Sequence, residues 1–377
     1  MKKIIFSILI LASSVCFCQT AKDPIVIGDI IEFDSKILNE QRDIYIYTPF
    51  GYAQSQEKYP VLYILDGETH FFHAAALVSF QSVNRVMPRS IVIGIPNTQR
   101  NRDFTPTLED GRTVAGGADN FIAFLEQELI PYIDDNYRTH SYKTLFGHSL
   151  CGMFSVYTLF TKPDLFNSYI SVSPYLMYDN EYVINIAKTK IKEQPDIDKK
   201  LFITIGDEPE YTQSLNLFTN LLTRKAKSLN WKLHKFEDED HGTVPLLSLL
   251  EGLKYIYPDW RLSDQDAYKG VKAIKKHYAD LSKRYGYHIQ VTEATLNALG
   301  YQLLGSSEKN KAIKVFIYNT ELYPKSANVY DSLGEAYDSK GDTTSAIINY
   351  QKAVELGVEN ADPNLNAFRN HLERLVH

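Results

Sequence analysis

A serine between a strand pattern and a helix pattern carries the strongest chemical signal in this chain. Ser149 lies in Gly-His-Ser-Leu-Cys-Gly at 147–152, after a short apolar run at 142–146 and before an amphipathic run at 153–160. A tight strand-to-helix turn strains such a serine and lifts its hydroxyl clear of the sheet. The helix N-terminus then offers free N–H groups to a developing oxyanion, and small flanking residues let two backbone segments cross. The motif predicts a nucleophile, with an ordinary strand–helix turn as the alternative.

A serine hydroxyl needs a base that takes its proton, and a third group must hold that base. His241 lies in the loop after the last predicted strand, flanked by Gly242 and Pro245. An α/β-hydrolase places its base there, since its catalytic residues follow in the order serine, acid, histidine. We therefore predict His241 as the base. The side chain of His148 is expected to point away from the site.

Three carboxylates follow the preceding predicted strand, at 201–206. Glu208 is the first choice for the acid that holds His241, Glu210 the second and Asp207 the third. The alternative is that all three are solvated loop charges and that Ser149 and His241 act as a dyad.

An oxyanion requires two N–H donors, one from the residue after the nucleophile and one from the loop after the third strand. The first would be Leu150. The second would come from Gly67–Glu68, where Gly67 lets backbone approach the substrate and Glu68 supplies an N–H. Asp-Gly is also a plain turn signal, which is the alternative interpretation.

The elements that position these residues alternate between β-rich and amphipathic helical runs from about residue 25 to 260. This pattern predicts a mostly parallel sheet with helices on both faces, an α/β-hydrolase fold. The first two strands, with no helix between them, should form an antiparallel edge hairpin. A helical stripe covers 120–135. The eight predicted strands are 25–33, 44–48, 61–65, 91–95, 143–146, 168–172, 201–205 and 232–236.

Strand signals stop near 258–261, and a repeat with a period of 34 residues follows. Leu299, Gly300 and Ala312 recur as Leu333, Gly334 and Ala346, among other pairs. This pattern resembles the tetratricopeptide repeat, in which small residues let paired helices pack closely. The predicted domains are a signal peptide (1–18), a hydrolase domain (19–262) and an all-α tetratricopeptide-like domain (263–377). The tail would be a helical cap, or a groove for a protein partner or for self-association.

The N-terminus begins Met-Lys-Lys and continues with an apolar run at 4–12 and small residues, which is typical of a secretory signal peptide. Cleavage before Gln19 would leave Cys151 as the one cysteine, a small core residue rather than a second nucleophile. We expect export to the periplasm or medium, and no later membrane span. The net charge of −6 argues against a nucleic-acid partner. No cofactor and no metal are predicted.

Several motifs agree in order with one known family. They are Tyr-Pro-Val-Leu-Tyr-Ile-Leu-Asp-Gly at 59–67, Asn-Thr-Gln-Arg-Asn-Arg-Asp-Phe-Thr-Pro at 97–106, the segment 147–152, Ser-Val-Ser-Pro at 171–174 and Glu-Asp-His-Gly at 239–242. From about 35 to 260 the chain resembles the putative-esterase family of α/β-hydrolases, nearest to periplasmic siderophore (enterobactin-type) esterases. The family also holds feruloyl and acetylxylan esterases. The resemblance implies Ser149 as nucleophile and His241 as base. Cys151 departs from the usual glycine, and the crowded acidic segment leaves the acid open.

The predicted function is that of an exported serine esterase that forms an acyl-enzyme. Arg100, Arg102 and Tyr175 would help to hold an aromatic or anionic acyl group, although Arg102 could instead pair with Asp103. Siderophore lactones and feruloylated or acetylated polysaccharides are the alternative substrates. From another class, a non-catalytic binding protein with a vestigial hydrolase core is the alternative.

Overall fold

A computed structural model describes residues 24–109 and 113–376. The predicted signal peptide lies outside the described residues. The strands are β1 (Asp29–Ser35), β2 (Glu40–Tyr47), β3 (Tyr59–Leu65), β4 (Ile91–Ile95), β5 (Thr139–His148), β6 (Ser168–Val172), β7 (Lys200–Ile205) and β8 (Asn230–Lys235). The helices between and after them are α1 (Gly67–Val83), α2 (Arg100–Phe104), α3 (Ala118–Phe124), α4 (Ile130–Asn136), α5 (Leu150–Thr161), α6 (Tyr178–Glu193), α7 (Thr212–Lys225) and α8 (Val244–Ile256). All eight predicted strands are therefore present, with boundaries shifted by a few residues.

The strands form one sheet in the order β1-β2-β4-β3-β5-β6-β7-β8. The predicted edge hairpin is confirmed, because β1 pairs antiparallel with β2, and β2 pairs antiparallel with β4. Every pair from β4 to β8 is parallel. Strands β3, β4 and β6 are buried along their whole length, as expected for parallel strands covered on both faces. The carboxyl ends of β3, β5 and β7 thus meet at one edge.

Alternate residues of the central strands enter the cores on the two faces of the sheet. Tyr63 and Leu145 pack on one face, in the cluster that contains the side chains of α3 and α5. Ile64 and Phe146 pack on the other face, in the cluster of α1 and α8. This period of two is what a strand buried on both sides requires. It holds the sheet rigidly under the loops at its carboxyl edge.

The helix predicted over 120–135 is continuous but not uniform. Between α3 and α4 the segment Leu125–Leu129 widens into a π-helical turn, in which the N–H of Ile130 bonds to the carbonyl of Leu125. Pro131 follows at the start of α4 and has no N–H to offer the preceding turn. A single π turn is a common way to accommodate such a lost bond.

The region after residue 260 is all-helical, as predicted. Its helices are α9 (Asp264–Ala267), α10 (Val271–Tyr285), α11 (Glu293–Gly305), α12 (Lys309–Leu322), α13 (Ala327–Lys340), α14 (Thr343–Glu359) and α15 (Leu365–Val376). Helix α10 docks on the hydrolase core through Leu281 and Tyr285, and the Tyr285 hydroxyl donates to the carbonyl of Ile256 at 3.0 Å. No helix in the described part of the chain is both long and apolar enough to cross a membrane.

The 34-residue repeat has a packing counterpart in the two helix pairs α11–α12 and α13–α14. A Cβ on Gly300 would lie 2.4 Å from the Phe316 ring, and a Cβ on Gly334 would lie 2.6 Å from the Tyr350 ring. Each glycine therefore lets an aromatic ring of the next helix contact the backbone directly. The two units share this close approach, and their assignment as tetratricopeptide repeats stays a prediction.

Candidate active site

Ser149 occupies the turn between β5 and α5 with φ 60° and ψ −117°. Such a conformation in a non-glycine residue costs about 1–3 kcal/mol and persists only where the surroundings enforce it. A Cβ on Gly147 would lie 2.1 Å from the carbonyl oxygen of Cys151, and one on Gly152 would lie 2.7 Å from that of Val172. The expectation that small residues flank the serine is therefore confirmed at both glycines.

Cys151 is fully buried behind this turn. Its Sγ lies 3.9 Å from the Nη2 atom of Arg100. Burial raises the pKa of the Cys151 thiol well above its ordinary value, and the nearby Asp66 charge adds to that rise. A protonated, inaccessible thiol is a poor nucleophile, because the thiolate is the reactive form. Cys151 thus fills space beside the turn, as predicted.

Glu208 is the carboxylate that reaches His241. It is 3% exposed, and its Oε1 atom contacts the Nδ1 atom of His241. Its Oε2 atom accepts hydrogen bonds from the Ser173 hydroxyl and, at 2.8 Å, from the Gly206 N–H. Burial works to raise the pKa of Glu208, but the hydrogen bonds from His241, Ser173 and Gly206 outweigh it and lower that pKa. An ionised carboxylate is thereby held against one nitrogen of the imidazole.

The other two acidic candidates lie outside this arrangement. Asp207 and Glu210 are exposed, and the nearest cation to Asp207 is Lys235, whose Nζ atom lies 3.9 Å away. Among the described residues, neither carboxylate is hydrogen-bonded or ion-paired to His241. The geometry therefore favours the first of the three sequence-based choices.

The side chain of His148 does not point away from this site, so that expectation was wrong. Its ring lies 4.5 Å from the ring of His241 and 5.6 Å from that of His70 on α1. As the last residue of β5, it faces the space between α1 and the His241 loop. Burial, followed by the charges of His241 and His70, lowers the pKa of His148 to about 3. The residue before the nucleophile is thus a neutral ring packed on the candidate base.

Tyr211 is the site residue that sequence reasoning missed. Its ring lies 5.3 Å from that of His241. Burial raises the pKa of its hydroxyl, and the neighbouring Ser149 side chain works in the opposite direction. The ring of Tyr175 lies 5.9 Å from the Tyr211 ring. No hydrogen bond joins Ser149 to His241 within the described residues, and such bonds often tighten only when substrate binds. The position of Tyr211, three residues after Glu208 in the same loop, was the available signal.

The predicted oxyanion donors lie at the starts of two helices. Leu150 is the first residue of α5 and Gly67 is the first of α1, and the first N–H groups of a helix have no intrahelical acceptor. A Cβ on Gly67 would lie 2.6 Å from the backbone nitrogen of Ile95, so the close approach needs glycine. The carboxylate of Glu68 accepts hydrogen bonds from Asn97. The backbone N–H of Glu68 is therefore the group that could donate to an oxyanion.

Arg100 braces the two segments that carry these donors. Its Nε and Nη2 atoms each donate to the Asp66 carboxylate at 2.8 Å, and Nη2 lies 3.4 Å from the carbonyl oxygen of His148. Asp66 immediately precedes α1, and His148 immediately precedes Ser149. The sequence predicts substrate binding for Arg100, whereas in the structure its guanidinium links the two loops. Arginine commonly forms such bidentate hydrogen bonds with a carboxylate.

Arg102 is bound to carboxylates of the fold. Its guanidinium donates to both oxygens of Glu40 and to Asp103, the alternative that its sequence neighbourhood had suggested. Asp103 also accepts from the buried Arg42 at 2.8 Å, so this network fixes α2 to the edge hairpin. Arg102 therefore positions the helix that presents Arg100, and a role for it as a substrate contact stays a prediction.

The aromatic side chains of Phe71 on α1 and Tyr178 on α6 are buried. Phe71 packs against Tyr45 in the core on the α1 face, and the Tyr178 hydroxyl donates to the carbonyl of Thr107. Tyr175 is half-buried, and its N–H donates to the carbonyl of Ser149 at 3.1 Å. Tyr175 and Tyr211 thus line one side of the space above the nucleophile.

Comparisons with known proteins agree with this geometry. The family model described as "Putative esterase" matches residues 35–243. The ferri-bacillibactin esterase of Bacillus subtilis is 28% identical over 235 residues, which cover 53% of this chain and 80% of that protein. The siderophore triacetylfusarinine C esterase of Aspergillus fumigatus is 26% identical over 244 residues, 53% of this chain and 82% of the relative.

A solved structure described as an IroE-like serine hydrolase, from Shewanella oneidensis, superimposes with a TM-score of 0.70 at 28% identity. The match covers 78% of this chain and 99% of that one. The family match itself extends over more than half of the chain. The chain therefore belongs to the putative-esterase family, and it is a hydrolytic enzyme of the serine esterase type.

Proposed function

We propose that the protein hydrolyses siderophore ester bonds, with Ser149 as nucleophile, His241 as general base and Glu208 as the acid that orients it. One observation carries this proposal: the buried Glu208 carboxylate contacts His241 directly beside the strained Ser149 turn. Two relatives that are esterases of siderophore compounds support the substrate class.

Acylation would begin when the Nε2 atom of His241 takes the proton of Ser149 as its Oγ attacks the ester carbonyl. Glu208 at Nδ1 keeps the proton-accepting nitrogen turned towards the serine and stabilises the imidazolium that forms. The N–H groups of Leu150 and the Gly67–Glu68 segment would stabilise the oxyanion. Removing one such donor typically costs about 100- to 1000-fold in kcat. The tetrahedral adduct then expels the alcohol, which leaves with the proton from His241.

Deacylation would repeat these steps with water in place of the serine. His241 takes a proton from the water while the water oxygen attacks the acyl carbonyl. The Ser149 oxygen then leaves and takes that proton from His241. The carboxylic acid is released, and every group returns to its starting protonation state. The mechanism requires no redox partner and no further co-reactant.

Tyr175 and Tyr211 would contact the group next to the scissile bond. Their rings lie 5.9 Å apart beside Ser149 and offer flat apolar surfaces to an aromatic or other planar substituent. Arg100 is 36% exposed on its side chain, but two of its three side-chain nitrogens, Nε and Nη2, already donate to Asp66. We therefore propose aromatic stacking as the main source of substrate preference.

The alternative functions are not favoured. The feruloyl and acetyl-polysaccharide substrates have no support from the two relatives described above. A non-catalytic binding protein would have no need to keep the Glu208–His241 contact or the strained serine.

We also propose that the chain is exported after cleavage before Gln19, with a catalytic domain at 19–262 and a helical domain at 263–377. N-terminal sequencing of protein recovered outside the cytoplasm tests the cleavage position. Limited proteolysis near residues 258–263, followed by mass spectrometry, tests the boundary. A protein that keeps residues 1–18, or cleavage confined to other positions, would contradict these assignments.

The substrate is tested with a panel of ferric and iron-free siderophores that carry ester bonds, beside feruloyl sugars, acetylated xylan and p-nitrophenyl butyrate. We expect the highest kcat/KM on a siderophore ester, and loss of at least about 1000-fold in Ser149→Ala with its fold intact by circular dichroism. Activity on p-nitrophenyl butyrate without any siderophore hydrolysis would overturn the substrate class. An inactive wild type would overturn the catalytic assignment.

A further inference from the structure

Three potential metal ligands converge in the helical tail, far along the chain from Ser149. Asp331 and Glu335 lie one turn apart on α13, and His371 lies on α15. Residues at i and i+4 share one face of a helix, so both carboxylates face α15. One ligand atom from each side chain lies within 4.8 Å of the other two.

The distances between these atoms suit one small cation. The Nδ1 atom of His371 lies 2.9 Å and 3.2 Å from the two oxygens of Asp331, and 3.7 Å from Oε1 of Glu335. Zinc binds histidine nitrogen and carboxylate oxygen at about 2.0–2.2 Å in a tetrahedron, which separates neighbouring ligand atoms by about 3.3 Å. The three separations from His371 bracket that value, and the three ligand atoms all lie within 4.8 Å of one another.

The hydrogen bond from Tyr301 leaves one oxygen of Glu335 available to a cation. The Tyr301 hydroxyl donates to Oε2 of Glu335 at 2.7 Å, and Oε1 is the oxygen that faces His371. Hydrogen bonds of this kind orient metal-binding carboxylates. The side chain of Asp331 is 9% exposed, while those of His371 and Glu335 are 29% and 32% exposed. A cation could thus enter from solvent and meet a largely buried ligand.

A buried phenol beside the cluster has no hydrogen-bond partner in the described part of the chain. Tyr350 on α14 is 0% exposed, and its hydroxyl makes no hydrogen bond among the described residues. Its ring lies 5.5 Å from that of His371. Burial, and then the charges of Glu335, Asp338 and Asp331, raise the pKa of Tyr350. A buried unpaired hydroxyl costs about 1–3 kcal/mol. A bound cation, or a water on it, would give that oxygen a partner.

We propose that Asp331, Glu335 and His371 bind a divalent cation of the zinc type. Zinc binds both imidazole nitrogen and carboxylate oxygen, whereas magnesium and calcium prefer oxygen ligands alone. The charge of the cation balances the two carboxylates. Interhelical ion pairs of His371 with Asp331 and Glu335 would still leave the buried Tyr350 hydroxyl without a hydrogen-bond partner among the described residues. The cation would join α13 to α15 and so hold the last helix of the tail.

The test uses the purified full chain after a chelator has removed bound metal. Calorimetry measures the binding of ZnCl₂, and thermal unfolding is recorded with and without added zinc. We expect one zinc per chain and, at about 100 times Kd, a rise of at least about 5 °C in the unfolding midpoint of the tail. His371→Gln should remove binding. Tyr301→Phe, which keeps the three ligands, should weaken it by about tenfold or more.

Two controls separate this site from other histidines. His288→Gln, at an exposed position, and His241→Ala, in the candidate catalytic site, should both keep the zinc response. If His371→Gln lowers stability without metal, the readout is still the shift on adding zinc. Absence of binding by the wild type would overturn the proposal. Equal binding by His371→Gln, loss of binding in His241→Ala, or an equal response to MgCl₂ would do so as well.

Discussion

Replacing Glu208 by glutamine tests whether a buried carboxylate controls the tautomer of the catalytic histidine. The Gly206 N–H can only donate, and it points at Oε2 of Glu208. In Glu208→Gln the amide oxygen must therefore occupy the Oε2 position, since a donor facing a donor is costly. The amide NH₂ is then left facing the Nδ1 atom of His241. That nitrogen must accept, so the proton moves to Nε2, the nitrogen that has to remove the proton from Ser149.

The expected loss follows from this wrong tautomer. In serine proteases the equivalent acid-to-amide change preserves geometry and lowers kcat by about 10⁴-fold. Each tenfold loss corresponds to about 1.4 kcal/mol of activation free energy, so we expect about 5 kcal/mol here. Glu210→Gln is the matched control, because Glu210 is exposed in the same loop. Its kcat should stay within about twofold of wild type.

The assay is steady-state hydrolysis of p-nitrophenyl butyrate at neutral pH, with circular dichroism to verify folding. Glu208→Gln should lose kcat far more than it changes KM, since the substrate does not contact this carboxylate. A variant that keeps a tenth or more of the wild-type kcat would refute the triad and favour a Ser149–His241 dyad. An equal loss in Glu210→Gln would refute the assignment of the acid.

The same substitution has a pH signature in stability. Because the folded-state pKa of Glu208 lies below its ordinary value, the stability from its contacts is fully present above the unfolded pKa of about 4.3. It is lost as the pH falls through the lower folded value. The difference in unfolding free energy between wild type and Glu208→Gln, measured by urea titration, should therefore shrink on acidification below about pH 4. A difference that grows on acidification would contradict the direction of the shift.

Three further predictions concern the neighbours of Ser149. Arg100→Lys should lower kcat by about tenfold with little change in KM, because the bidentate hydrogen bonds to Asp66 are lost. Steady-state kinetics that show a raised KM at unchanged kcat would mean that Arg100 binds substrate instead. His148→Phe should move the acidic limb of the pH profile of kcat/KM by less than about half a unit, since the pKa of His148 is already about 3; a larger displacement would mean that His148 titrates in the working range. Gly147→Ala should lower the free energy of unfolding by at least about 2 kcal/mol in urea titrations. Gly305→Ala is the control and should not destabilise the protein, because a Cβ there would meet nothing within 4 Å. Equal stability of the two variants would contradict the close backbone crossing at the serine turn.

The strands, the serine turn and the histidine loop could be predicted from the sequence because their signals are local. A buried parallel strand is a short apolar run, and a catalytic turn follows it directly in the chain. Chain order then placed His241 after the last strand. The 34-residue spacing of Gly300 and Gly334 was likewise visible, since each glycine repeats the same contact with a ring of the next helix.

Other features depended on which atoms meet across the fold. Three acidic residues follow the same strand, at Asp207, Glu208 and Glu210. Only the burial and the direction of each side chain distinguish them. The role of Arg100 depends on Asp66, a residue 34 positions earlier. The tail cluster joins residues 40 positions apart on two helices.

By itself the sequence determined the order of strands and helices and the chemical types at the sheet edge, because periodicity and turn chemistry act over a few residues. Tertiary structure alone decided that His148 packs on His241, that the Tyr211 ring lies beside His241 and that Arg100 links two loops. Side-chain direction depends on how neighbouring elements pack, and that packing follows from the whole core rather than from any one segment.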